Sequence, residues 1–214
     1  MKSILTAALA AAALALGAAP AHAQENHPMG FFVTSVGMGN GADLGGLDGA
    51  DAHCQSLAAA AGAGDREWRA YLSTEEPDKR GVFARARIGL GPWYNARGEL
   101  IASDLDQLHI SPDIFQRTAL DENGDEVKGR YADVNEHDIL TGTQADGTPY
   151  WPDEADHTCN NWTSSGEGSA QVGHHDRHGG GNTSWNSAHA TRGCSQDGLR
   201  STGGAGLFYC FAAD

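Results

Sequence analysis

The chain has 214 residues, 20% of them charged, and a formal net charge of −14 with histidine counted as neutral. So acidic a surface excludes nucleic acid and anionic lipid as partners, because both need clustered Lys and Arg. The same repulsion argues against sulfated polysaccharides as ligands.

The N-terminus reads as an export signal. Lys2 supplies a positive flank, Ile4 to Leu16 is an apolar run interrupted only by Thr6, and Ala21-His22-Ala23 ends in a small-x-small cleavage pattern. The run is too short to span a bilayer comfortably, and no other stretch is apolar enough to do so. Residues 1–23 are therefore expected to be a signal peptide. Removing them leaves 24–214, or 214 − 23 = 191 residues, a length that suits one domain with a real core. The expected location is secreted or periplasmic, with no membrane span after cleavage.

All four cysteines, Cys54, Cys159, Cys194 and Cys210, fall in the mature part. An even count in an exported protein implies disulfides, and the absence of any CxxC spacing weighs against zinc held by thiolates.

In chain order, Phe31 to Val36 is rich in β-branched and aromatic residues and predicts a strand. A helix is expected next, with Asp48 as N-cap, Asp51 three residues on and Gly62 as its stop. Ala50, Cys54, Leu57, Ala58 and Ala61 share one face of it, so Cys54 should point at the core. Trp68 to Ser73 alternates as a half-buried strand does. Short β-like pieces follow at Trp93–Asn95, Glu99–Ile101, Thr118–Leu120, Glu126–Val127 and Ile139–Thr143. The segment from Glu154 to Gly206 is rich in Gly, Ser, Asn and His and nearly devoid of aliphatic side chains. It reads as a long ordered loop held by crosslinks and by Trp162 and Trp185. Gly206 to Phe211 is expected to be a final strand that buries one face and carries Cys210.

A helix cysteine near the start and a strand cysteine at the end suggest a Cys54–Cys210 bond, which leaves Cys159–Cys194 to close the polar segment. In a chain-entropy account, loops of 156 and 35 residues correspond to about 5 and about 4 kcal/mol.

Several runs together resemble the endostatin domains of collagens: LGGLDGADAHCQSLAAAAGAGDREWRAYLS at 44–73, WYNARGEL at 93–100, ILTGTQADGT at 139–148 and TCNNWTS at 158–164. The chain is more similar still to exported bacterial endostatin-like proteins labelled lectins, over Phe31 to Phe211. This resemblance implies an α+β, C-type-lectin-like fold: a mixed, mostly antiparallel sheet, a flanking helix and a long disulfide-closed loop. It implies the same nested pairing of cysteines. The calcium-and-sugar triplets of C-type lectins are not reproduced. The Glu-Pro-Asn type is absent, and Trp185-Asn186-Ser187 lacks the carboxylate that hard Ca²⁺ prefers. Endostatin's zinc site does not carry over either, since its aspartate position is Gly98 and only His27 stands near the mature N-terminus. Its heparin-binding arginine patch is missing too.

Two clusters are candidate sites. His174, His175 and His178, with His189 further on, offer imidazoles for Zn²⁺ or another borderline metal. The bland reading is a solvated polar loop. Asn160, Asn161, Trp162, Trp185 and Asn186 offer amides for sugar hydroxyls and indole faces for a pyranose. For the tryptophans the bland reading is a loop anchor. Asp121 to Glu126 lacks the spacing of an EF-hand and reads as a hairpin turn. No nucleophile elbow, HExxH or phosphate-cradling loop is present, so the sequence does not support an enzyme.

The expected function is a non-catalytic binding module that recognises a glycan or other extracytoplasmic ligand through the 159–194 region. A metal-binding envelope protein using the loop histidines is the alternative, and an envelope hydrolase the weaker third. Zn²⁺ and Ca²⁺ are the cofactors left open.

Overall fold

The computed structural model describes residues 27–214, so the expected export signal lies outside the described residues. Its organising element is the last strand, β8 (Gly204–Ala212). The first strand, β1 (Phe31–Val33), runs antiparallel to it with Phe32 opposite Cys210. β2 (Trp68–Ala70) also pairs with it antiparallel. β5 (Asp138–Leu140) lies alongside it in parallel. From β5 the sheet continues antiparallel through β6 (Gln171–His174) to β7 (His189–Ala190). The result is a mixed α/β fold with a mostly antiparallel, six-stranded sheet. A hairpin of β3 (Trp93–Tyr94) and β4 (Leu100–Ala102) stands apart from it and is followed by the short helix α2 (Leu105–Ile110).

Side chains alternate across a strand with a period of two, and β8 is apolar on both phases. Phe208, Cys210 and Ala212 enter one core, with Phe32, Leu44, Trp68 and Trp162. Leu207, Tyr209 and Phe211 enter the other, with Phe31, Trp93, Ile101 and Trp185. The sheet is thus buried on both faces of β8 rather than on one as expected, which is why Leu207 to Ala212 is an unbroken apolar run.

The helix α1 (Gly46–Ala60) covers the first core and buries Ala50, Cys54 and Ala58. It starts two residues before the expected cap, after Gly45 in the left-handed region. Asp51 does not serve the helix terminus. It accepts a hydrogen bond from Ala70 N at 2.9 Å and pairs with Arg69 and Arg87, tying α1 to β2. The stop at Gly62 is as expected. Gly62 N–H donates to Ala59 O and Ala63 N–H to Ala58 O, a double closure that needs the positive φ of Gly62.

Both disulfides have the expected pairing, Cys54–Cys210 and Cys159–Cys194. The first joins α1 to β8, and the second holds the segment that carries β6 and β7.

One expectation is corrected. The stretch from Glu154 to Gly206 is not a long loop, because β6 and β7 within it are strands of the main sheet, and a short helix, α4 (Gln196–Arg200), packs beside β8. Its strands escape notice because they contain Gly, His and Gln where apolar alternation would normally stand. Other strands are shorter than their apolar runs: Val36 is exposed beyond β1, and Tyr71 to Ser73 are buried without joining a ladder beyond β2. Asp121–Glu126 is a turn, bridged at Leu120 and Glu126, in which Asp121 Oδ1 accepts from the N–H groups of Asn123 and Asp125.

Candidate functional site

Sheet register builds the most unusual cluster in the protein. Asp138, the first residue of β5, is the cross-strand partner of His174, the last of β6. His189 opens β7 opposite Val172, which brings its ring to the same edge. His137 precedes β5 and completes the group. Asp138 Oδ1 lies 3.1 Å from His137 Nε2, 3.3 Å from His174 Nε2 and 3.4 Å from His189 Nε2. His137, Asp138 and His174 are buried, whereas the His189 side chain retains 38% exposure.

The rings are ordered from behind. His137 stacks on His174 with centroids 4.2 Å apart, and His174 meets His189 edge-on at 5.0 Å. His137 Nδ1 contacts Asp176 Oδ1 at 3.2 Å. Asp176 is itself fixed by the backbone N–H groups of Arg130 at 2.7 Å and His178 at 2.9 Å. His189 Nδ1 lies 3.1 Å from Ala190 O. Each of these contacts suits an N–H at Nδ1, so that Nε2 is the nitrogen facing Asp138.

Electrostatics follow from this packing. Burial opposes ionisation of Asp138, yet the imidazoles of His137, His174 and His189 hold its carboxyl well below the ordinary range. Burial opposes charging of His137, but Asp138 and Asp176 raise it to about 9. Asp138 likewise raises His189. His175, one residue beyond the cluster, is pushed down to about 4 chiefly by burial.

A second feature is an open cleft of about 410 Å³ walled by Glu75, Glu76, Tyr150, Asp153, Asn160 and Asn161 among others. Asn160 and Asn161 sit on a single left-handed turn, α3 (Cys159–Trp162), in which four successive non-glycine residues have positive φ. That conformation costs roughly 1–2 kcal/mol per residue. Several contacts hold it: the Cys159–Cys194 bond, a hydrogen bond from Trp162 Nε1 to Ser73 O at 2.7 Å, and Asn161. Asn161 Oδ1 accepts from Glu75 N at 2.7 Å and its Nδ2 donates to Glu75 O at 3.0 Å. Glu75 in turn accepts from His157 N and Thr158 Oγ1 and contacts His157 Nδ1, whose ring stacks on Tyr150 at 3.8 Å.

The candidate residues divide accordingly. Of the four histidines, the structure brings together His174 and His189. His175 is buried and points to Lys128 O, and His178 is exposed beside the Tyr131 ring, so neither joins the cluster. β6 ends at His174, and His175 opens the following turn with its Nε2 3.3 Å from Lys128 O. Of the sugar-binding set, Asn160 is exposed and Asn161 half-buried at the cleft. Trp162, Trp185 and Asn186 are corrected to structural roles. Trp162 and Trp185 belong to the two cores, and Asn186 Nδ2 donates to Tyr71 Oη and lies within reach of the carbonyls of Gln144 and Ala145. His27 stacks on Tyr94.

His137 and Asp138 were missed by sequence reasoning. Their only signal is a His-Asp pair at the mouth of an expected strand, 36 residues before His174. The close crossing that brings the 185–189 backbone over β6 depends on Gly173, where a Cβ would stand 1.8 Å from Trp185 O.

Among the described residues no helix is long and apolar enough to cross a membrane. Compared with known families and with curated proteins, the chain finds no counterpart: no family model and no curated sequence matches it.

Proposed function

We propose that this chain is a non-catalytic extracytoplasmic recognition domain of the C-type-lectin-like, endostatin-like kind, which takes a glycan in the cleft beside Cys159–Trp162. The architecture is compatible with that lineage. Its first and last strands pair, its opening helix is tied to the terminal strand, and a second disulfide clamps the polar segment. Disulfides of this kind also suit an oxidising compartment, secreted or periplasmic.

The observation that carries the reading is the cleft itself, in which amides, a tyrosine and carboxylates line one opening on a loop already held in a costly conformation. A preordered wall lowers the entropy lost on binding. Carboxylates accept hydrogen bonds from hydroxyl and ammonium groups and repel anions, so neutral or amino sugars are the class that fits. Uronic and sulfated sugars are not. Envelope peptides bearing amines are the neighbouring ligand class.

A glycan array probed with the full exported protein, with and without Ca²⁺, tests this. Binding to neutral or amino glycans is expected, with Asn160→Ala and Glu76→Ala each weakening it by roughly 10-fold. An array empty under both conditions removes the glycan reading. Binding indifferent to both substitutions moves the site elsewhere.

A further inference from the structure

The cluster around Asp138 has a defect as a purely polar core. Three ring nitrogens crowd Asp138 Oδ1 within 3.4 Å. Even so, Oδ1 and Oδ2 of Asp138 and both ring nitrogens of His174 are buried without a hydrogen-bond partner. The contacts are close, but the N–H vectors are not aligned to donate. A buried polar group left in that state is destabilising, and a charged one more so. Of these four atoms, Asp138 Oδ1 and His174 Nε2 stand 3.3 Å apart, placed to share one partner.

We infer that His137, Asp138, His174 and His189 form a binding site for one divalent transition-metal ion of the Zn²⁺ class, which staples β5, β6 and β7 together. His137, Asp138 and His174 each offer one ligand atom within 4.8 Å of the others, and all three are buried. Bonds of about 2.0–2.1 Å in a tetrahedral site place neighbouring ligand atoms roughly 3.3 Å apart. The three separations from Asp138 Oδ1 to the imidazole nitrogens, 3.1, 3.3 and 3.4 Å, match that edge, while His189, outside the mutual 4.8 Å set, must draw inward to complete the fourth position.

Two of the three rings, those of His137 and His189, have the outer-shell contact typical of metal-bound histidines, whereas His174 Nδ1 has none. Asp176 contacts Nδ1 of His137 and Ala190 O contacts Nδ1 of His189, so both rings present Nε2 as a ligand. Three imidazoles and a single carboxylate select a borderline ion, because Ca²⁺ and Mg²⁺ take oxygen ligands.

The role that follows is structural. Three of the four donors are buried, which closes the centre to substrates. β7 is only two residues long and pairs with β6 alone, and the 175–188 excursion that precedes it is glycine-rich. An ion at this point would hold the outer edge of the sheet, as the Cys159–Cys194 bond holds the region beside it.

Full-length mature protein without a histidine tag, stripped with a chelator, provides the test. Zn²⁺ should bind in a one-to-one ratio in competition with a chromophoric chelator, and Co²⁺ should give the intense visible bands of a tetrahedral nitrogen–oxygen site. Asp138→Asn and His174→Gln should each weaken Zn²⁺ binding by roughly 100-fold or more, beyond an outer-shell change. His178→Ala should leave it unaltered. Imidazole ¹H–¹⁵N spectra of the wild type need no substitution, and Zn²⁺ should shift His137, His174 and His189 specifically. A folded wild-type protein that ignores micromolar Zn²⁺ overturns the inference and leaves a buried ion-pair cluster. Binding that shifts other histidines, or that survives both ligand substitutions, overturns it equally.

Discussion

Asp176 Oδ1 lies 3.2 Å from Nδ1 of His137, and both side chains are buried. Asp176 is anchored by two backbone N–H groups, so it can fix the tautomer of a ring whose other nitrogen faces Asp138. Asp176→Asn keeps an acceptor but removes the charge. It should lower Zn²⁺ affinity by roughly 10–100-fold while the far-UV circular dichroism stays that of the wild type. Chelator competition reads the first quantity. An unchanged affinity would mean that Asp176 does not act through His137.

Trp162 and Trp185, one in each core, should respond differently to loss of the indole N–H. Trp162 Nε1 donates to Ser73 O, whereas Trp185 Nε1 is buried without a partner. Trp162→Phe therefore leaves a buried carbonyl unpaired, while Trp185→Phe removes an unpaired donor. Urea denaturation should show the first variant less stable than the second by about 1–2 kcal/mol. Equal losses would contradict this assignment.

The disulfides should fail in distinct ways. Replacing Cys54 and Cys210 by Ala uncouples α1 from β8 at the centre of the sheet and should lower global stability by about 2–5 kcal/mol. Replacing Cys159 and Cys194 releases the left-handed turn and the segment beyond it. Limited proteolysis of that variant should cut first between residues 163 and 193, before the sheet centred on β8 opens. Simultaneous loss of both regions would show that they unfold as one unit.

His109 supplies a pH dependence. Its Nδ1 lies 2.7 Å from Leu105 O and its Nε2 is 2.8 Å from Tyr71 Oη, an arrangement that suits the neutral ring. Burial pushes its pKa below the ordinary 6.5. Between that depressed value and 6.5 the unfolded chain binds more protons than the folded one, so acid favours unfolding. The contribution of His109 is present in full above 6.5 and declines as pH falls below it. His109→Gln should flatten the fall in melting temperature between about pH 7 and 5 relative to wild type. A steeper fall in the variant would reverse the sign of the argument.

Much of the architecture was legible in the residues. β8 declares itself because both phases of its alternation are apolar, and α1 because its small residues repeat at helical spacing up to a glycine stop. Cysteines on those two elements suggested the bond that joins them. These are local signals, and hydrophobic periodicity or a required positive φ writes them directly into the sequence.

The 154–206 segment shows where such signals end. Its strands are recruited by neighbours rather than by their own pattern, so a run of Gln, Val, Gly and His gives no local indication of lying in a sheet. The sequence by itself supplied the histidines, the amides and the tryptophans. Only tertiary structure decided which of them face one another. Register across β5, β6 and β7 gathers His137, Asp138, His174 and His189 while His175 falls in the turn beyond β6, and core packing buries both indoles that composition offered to a sugar. Proximity between residues tens of positions apart depends on strand pairing and close packing, which no single stretch of chain encodes.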